Sequence, residues 1–303
     1  MTHSVPADLD DLKRLFGEIG DLKRLRSAGR DGSAATRLFR AAWHELTAGA
    51  PAAEVARRIT AQALAAGRLG DLDRMLLSEA GISAAEVNGI LCRAVEDISG
   101  PVTEPLRSAL VSAIAVPPPG RQGDLPRFVR LLEDQPRAGV TCPGRPRIIL
   151  EPAESHADHC LAVAVYGVIL SPRYGADPAT VFLAGLAHHL HNAGMPDAGF
   201  TGEMLLGPHL DGVMRHFTED ALMMLEPELR RRVIEARACL GDAETPEGRA
   251  FHAADVVDRV LEIGQHLRAA SLTMDVVLDD MGLVHDGPVK PFHDAVLAEL
   301  RIP

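Results

Sequence analysis

Aromatic side chains are scarce in this chain. Eight Phe, two Tyr and one Trp make up 4% of 303 residues. The core must therefore rest on Leu, Ala, Val and Ile, which suits helix-on-helix packing better than a β-sandwich. Cysteine is also sparse. Cys92, Cys142, Cys160 and Cys239 lie far apart and no two form a CxxC, which excludes a zinc ribbon. Such cysteines read as reduced thiols and point to a cytoplasmic protein. No run approaches the roughly 18 apolar residues of a membrane span. The opening segment, Met1 to Gly20, lacks the apolar stretch of a signal peptide. Net positive charge is missing too. Acidic residues number 42 against 31 basic ones, for a net charge of −11. A surface of that sign repels a phosphate backbone, so bulk nucleic-acid binding is excluded, while a local basic pocket for a small phosphorylated ligand is still allowed. The basic run Arg230-Arg231-Arg232 reads as a solvated helix face.

What is present is ordinary globular composition, 47% hydrophobic and 24% charged. The length suggests two domains at about 150 residues each. Apolar residues recur at spacings of three and four, the helical period. Ser83-Ala-Ala-Glu86 is a capping box opening a helix through Glu96. Asp177-Pro178 opens a helix through about Asn192, and Thr245-Pro246-Glu247 one to about Leu267. Leu12 to Phe16, Ala34 to Leu46, Ala52 to Ala66, Glu104 to Ile114 and Leu125 to Asp134 also read as helical. The two copies of Asp-Leu-Lys-Arg-Leu, at 11–15 and 21–25, read as a solvated face beside a core stripe. Pro117 to Gly123, with three prolines and two glycines, reads as a linker. It divides an N-terminal helical region, residues 1–120, from a second domain, residues 124–303. Gln135 to Pro152 reads as irregular, with Arg147 to Leu150 its one extended piece.

Histidine is concentrated. Of 13 histidines, eleven follow residue 155. Two segments concentrate five of them: Glu154-Ser-His-Ala-Asp-His-Cys160 and Ala187-His-His-Leu-His-Asn-Ala-Gly194. His156 and His159 are three apart, as are His188 and His191, so on a helix each pair shares a face. Neutral imidazole suits Fe, Mn, Zn, Co and Ni, and two such helices could present several nitrogens to one divalent metal ion. Asp255 and Asp258, on a third helix, could add carboxylates.

These segments resemble the HD-domain proteins. Asp158-His-Cys-Leu-Ala-Val-Ala164 is similar to that family's first histidine helix. Leu183 to Gly194 is similar to its second, which ends in a His-Asp dipeptide followed by an apolar residue and Gly; in that register His191-Asn192 takes the dipeptide place. Met195 to Leu206 and Ala254-Asp255-Val-Val-Asp258 match the Gly-Glu run and the closing acidic helix. The likeness covers about residues 154 to 269. It implies an all-α, HD-domain-like helical bundle carrying an additional N-terminal helical region. It implies metal ligands His159, His191, Asn192 and Asp255, with His188, His189, His209, His216 and His252 as further candidates. It implies a metal-dependent hydrolase acting on a phosphorylated small molecule or nucleotide. The alternatives are a catalytically degenerate module that binds a ligand or acts as a scaffold, and an HD-type di-iron oxygenase. No membrane partner is expected, and a homodimer is compatible with such a bundle. Asn192 departs from the family pattern: it keeps a carbonyl oxygen but loses the anion, weakening metal affinity and disfavouring a second ion. A shift of register, with His188-His189 in the dipeptide place, would compensate.

Overall fold

In the computed structural model the described residues are 9–117, 120, 125–144, 146–271 and 291. The linker expected at 117–123 falls largely outside them, as do residues 272–290 and 292–303. The fold is all-α. Among the described residues the only extended pairings are the isolated bridges Pro136–Ser155 and Val140–Ile148, the second of which meets the extended piece expected at 147–150.

Helices α1 (Leu9–Gly20), α2 (Ala34–Thr47), α3 (Ala52–Leu69), α4 (Arg74–Glu79), α5 (Ala84–Ile98) and α6 (Glu104–Ala115) precede the linker. Helices α7 (Arg127–Asp134), α8 (His156–Tyr174), α9 (Pro178–Ala187), α10 (Gly199–Leu206), α11 (Leu210–Leu222), α12 (Pro227–Arg237) and α13 (Pro246–Ser271) follow it. Their starts lie where the capping residues put them. Ser83 and Glu86 close a capping box on α5, and the Asp177 side chain accepts from the amides of Ala179 and Thr180 at the head of α9. Helices from both sides of the linker pack into one compact unit that runs to Leu261; a second unit begins at Glu262.

Helix α8 is the central element of the first unit. It is buried from His156 to Ser171 and packs against α2, α3, α7 and α9. The crossing with α9 is close because position 185 is glycine: a Cβ there would stand 2.6 Å from Ala164 Cα and 2.7 Å from its backbone nitrogen. The few aromatics are gathered inside. Trp43 packs edge-on to Phe128, with ring centroids 4.9 Å apart, and to Phe39 at 6.3 Å. The head of α8 is tied to the N-terminal helices through Asp158. Its Oδ1 accepts from the Ser33 hydroxyl and from Thr36 Oγ1 (2.7 Å), while Oδ2 accepts from the Ser155 amide at 3.0 Å. That buried carboxylate caps α8 and joins it to α2 in one network, which fixes where His156 and His159 point.

Candidate metal centre

Three segments meet beside α8. The first is the head of α8, carrying His156 and His159. The second is the chain leaving α9. The expected helix through Asn192 instead ends at Ala187, and a short 3-10 turn covers Leu190–Ala193. Side chains stop it. His188 Nδ1 donates to the carbonyl of Gly185 at 2.7 Å, and Arg237 from α12 donates to the carbonyl of Ala187. With those terminal carbonyls satisfied, His189 leaves the helical region at φ −102°, ψ 24°. His188 and His189 therefore both turn toward α8. The third segment is α13, which brings Asp255 and Asp258.

His159 is fully buried. Its Nδ1 donates to Asp258 Oδ2 at 2.7 Å, which leaves Nε2 as the nitrogen with a lone pair. His188 spends its Nδ1–H on Gly185, so its Nε2 is also free. His189 Nδ1 donates to Asn192 Oδ1 at 2.9 Å; the Asn192 amide is oriented by donation from Nδ2 to the Met195 carbonyl at 3.2 Å. All three imidazoles are thus set in one tautomer and offer Nε2. Ligand atoms of His159, His188 and His189 lie within 4.8 Å of one another. Asp255 Oδ1 lies beside two of the three, 3.2 Å from His159 Nε2 and 4.0 Å from His188 Nε2. The shorter approach is off-axis for a hydrogen bond, and both nitrogens are buried without any such partner. Bonds of about 2.0–2.2 Å around a tetrahedral ion separate neighbouring donors by roughly 3.3 Å. The three imidazoles are close enough to hold a metal ion, and two orphaned buried nitrogens are what such a site would leave in its apo geometry.

Electrostatics favour neutral imidazole at His188 and His189 and ionised carboxylate at Asp255, the protonation states a ligand set requires. Burial, reinforced by neighbouring imidazoles, holds His188 and His189 well below the ordinary histidine value. Burial opposes ionisation of Asp255, but its contact with His159, the charge that His159 and His188 carry when protonated, and Arg259 outweigh it and hold the carboxyl below the usual carboxylate range. Cys160 Sγ lies 3.7 Å from His188 Nδ1, yet burial pushes its thiol up to about 12, so it supplies no thiolate.

A second acidic group, Glu154, His159 and Asp258, also brings its oxygens and nitrogen within 4.8 Å. It is held together by a protein cation. Lys23 Nζ is 2.6 Å from Glu154 Oε2 and 2.8 Å from Asp258 Oδ2. The expectation of a solvated face over residues 21–25 fails here: Lys23 is buried, because it sits in the 3-10 turn Asp21–Lys23 and reaches Glu154, just before α8, and Asp258, midway along α13. Nothing in the local text around Lys23 signals this, since its partners lie 131 and 235 residues away.

Of the ligands carried over from the family pattern, His159 and Asp255 stand at the cluster. The second segment contributes His188 and His189 to it. Asn192 stands behind His189, and His191 is buried beside it with ring centroids 5.4 Å apart and Nδ1 unpartnered. His156, also fully buried, lies 3.4 Å from Asp197 Oδ2 without hydrogen-bond alignment. His209 and His216 are exposed, and α11 begins between them, so they share no unbroken helix. His216 faces Asp220 at 3.6 Å, and His252 packs on the Phe251 ring. Arg231 is solvated and paired with Glu228 and Glu235, as read from the sequence, whereas Arg230 turns back to the carbonyls of Leu222 and Leu225.

No protein-family model, curated protein or solved structure matches the chain. Among the described residues no helix is long and apolar enough to cross a membrane.

Proposed function

We propose that the chain is a metal-dependent hydrolase of a phosphorylated small molecule, built on a single-ion HD-like site of His159, His188, His189 and Asp255. The observation that carries this reading is the meeting of His159, His188 and His189, whose ligand atoms lie within 4.8 Å of one another, with the Asp255 carboxylate 3.2 Å from His159 Nε2; the Nε2 atoms of His159 and His188 are buried and unpartnered. Three neutral imidazoles and one carboxylate suit a borderline ion such as Zn, Co, Ni or Fe better than Mg or Ca. When bound, such an ion acidifies a water molecule and polarises a phosphoryl oxygen. The chain's own residues do the rest. Asp258, Gly185 and Asn192 hold the three imidazoles in register from behind. The site opens to solvent at Asp255, whose side chain is 21% exposed. Arg259, 3.7 Å from Asp255 Oδ2, and Arg137, beside His189, place two guanidinium groups where an anionic substrate would enter.

The first test is metal content of protein purified without a histidine tag, followed by titration of chelator-treated protein with Co(II) and an assay with a generic phosphate monoester. Uptake of one ion per chain with ion-dependent turnover is expected. Failure to take up any transition metal sinks the reading.

Asn192 gives a sharper test. Asn192→Leu removes the acceptor for His189 Nδ1–H, and metal affinity should fall about ten- to hundredfold, the usual effect of losing an outer partner of a ligating histidine. Asn192→Asp keeps an acceptor and adds negative charge, so affinity should hold or rise. Equal Co(II) affinities by calorimetry for the wild type and Asn192→Leu would remove Asn192 from the site.

One observation favours a non-catalytic module as the second reading: four protein ligands can close a tetrahedral shell and leave no position for water. Metal uptake with no turnover on any phosphate ester, and a Co(II) spectrum unchanged by added anions, would favour it. A di-iron oxygenase draws less support, since Lys23 occupies the other group among the described residues close enough to hold an ion, Glu154, His159 and Asp258.

A further inference from the structure

Arg137 has one geometric relation that an ordinary ion pair does not need. Its Nη1 lies 3.5 Å from His189 Nε2 and is directed at it. Because His189 gives its Nδ1–H to Asn192, Nε2 carries the ring's single in-plane lone pair and is the nitrogen that His189 can offer to a metal ion. An ion and the Arg137 N–H cannot both use it.

We propose that Arg137 couples metal binding to the binding of a phosphoryl oxyanion: the ion takes the His189 lone pair, and the guanidinium so released becomes a binding arm for the anion beside the ion. This rests on the metal-site reading above. The arm is anchored for such a turn. The Arg137 amide donates to the Glu154 carbonyl at 2.9 Å, so its backbone is fixed. Its Nε is 3.4 Å from Glu154 Oε1, while the other oxygen of that carboxylate is held by Lys23 at 2.6 Å. One carboxylate shared between two cations leaves Arg137 with charge to offer. The Arg137 side chain is 20% exposed, so solvent and solutes reach it.

The ligand class follows from charge and shape. A divalent ion with one directly bound carboxylate leaves the centre net positive, which draws an anion. A guanidinium fork at its edge matches two oxygens of a tetrahedral phosphoryl group.

The proposal makes two effects of opposite sign. In the full chain without a tag, Arg137→Met removes a competitor and a positive charge, so Co(II) should bind about tenfold tighter. The same substitution should weaken binding of inorganic phosphate to the Co(II)-loaded protein by about tenfold or more. In the wild type, phosphate should bind at least about tenfold tighter with Co(II) loaded than after chelation, and Arg137→Lys should fall between the two on phosphate. Calorimetry and the Co(II) visible spectrum read all of these without turnover. If Arg137→Met melts below the assay temperature, Arg137→Gln, whose amide can still donate to Glu154, carries the same comparison. Co(II) affinity unchanged by the substitution, or phosphate affinity indifferent to Arg137 or to Co(II), overturns the coupling while leaving the metal site standing. Acetate binding as tightly as phosphate overturns the phosphoryl class. No Co(II) uptake by the wild type or by either variant brings down the metal-site reading itself, and this coupling with it.

Discussion

Replacing His159 with alanine is expected to abolish metal uptake. The loss should exceed the ten- to hundredfold that follows removal of an outer partner, because His159 is the imidazole on which the other parts of the site converge. Its Nε2 is 3.2 Å from Asp255 and its ring centroid is 5.0 Å from that of His188 and 5.2 Å from that of His189. The substitution also empties a fully buried position and should cost about 2–4 kcal/mol of stability on its own, by analogy with other large-to-small core changes. Asp258 keeps Lys23 as a partner, so no carboxylate is left uncompensated. A companion separates the two effects. Asp255→Ala removes a ligand at a part-exposed position and should lose metal with little loss of fold. In the wild type, an ion at a hundred times its dissociation constant should stabilise the protein by about 2.7 kcal/mol, a rise of several degrees in Tm. Both variants should show no such rise. Thermal melts with and without Co(II), read beside direct titration, check this; a metal-dependent rise that persists in both variants would place the ion elsewhere.

The helices were legible because their causes are local. Ser83 with Glu86, Asp177 with Pro178 and Thr245 with Pro246 put an acceptor, and where needed a proline, at the first turn of α5, α9 and α13, and apolar spacing carried each helix onward. The end of α9 was not legible, because its last carbonyl is taken by Arg237, 50 residues downstream. That one long-range bond changes which histidines meet. On an unbroken helix His188 and His191 would share a face; with the break at Ala187, His188 and His189 share the site and Asn192 moves behind His189. A neutral Asn in place of an anion looked like a lost ligand in the sequence. In the fold its amide oxygen is the acceptor that sets the tautomer of a third imidazole, His189. Lys23 was hidden for a different reason. Its flanking residues form an ordinary amphipathic pattern, and only the meeting of an N-terminal turn with α8 and α13 buries it between Glu154 and Asp258.

Acid is expected to unfold the metal-free protein well above the range in which carboxylates protonate. Four imidazoles, the buried His156 and His191 and the largely enclosed His188 and His189, are held below the ordinary histidine value, in each case first by loss of solvent. For His191 the value is lowered from 6.5 to about 4, with Arg237 and His156 adding to the effect of burial. The sign follows directly. Above pH 6.5 both folded and unfolded chains carry these rings neutral and they do not affect the balance. Below it the unfolded chain binds protons that the folded chain refuses, so stability falls as pH drops from about 6.5 toward about 4. His191 alone should remove about 3 kcal/mol across that window, and the other three act in the same direction. Asp197, Asp255 and Asp258, held below the ordinary carboxylate value, continue the decline only at lower pH. Denaturant unfolding of chelator-treated protein at pH 7.5, 6.5, 5.5 and 4.5 should therefore show a progressive loss between the middle two values and the last. His191→Leu, which fills the buried position without a titrating group, should flatten part of that slope. A wild-type stability that is level from pH 7.5 to 4.5 would mean that these imidazoles can protonate in the fold, and would remove the buried, neutral cluster on which the candidate metal centre depends.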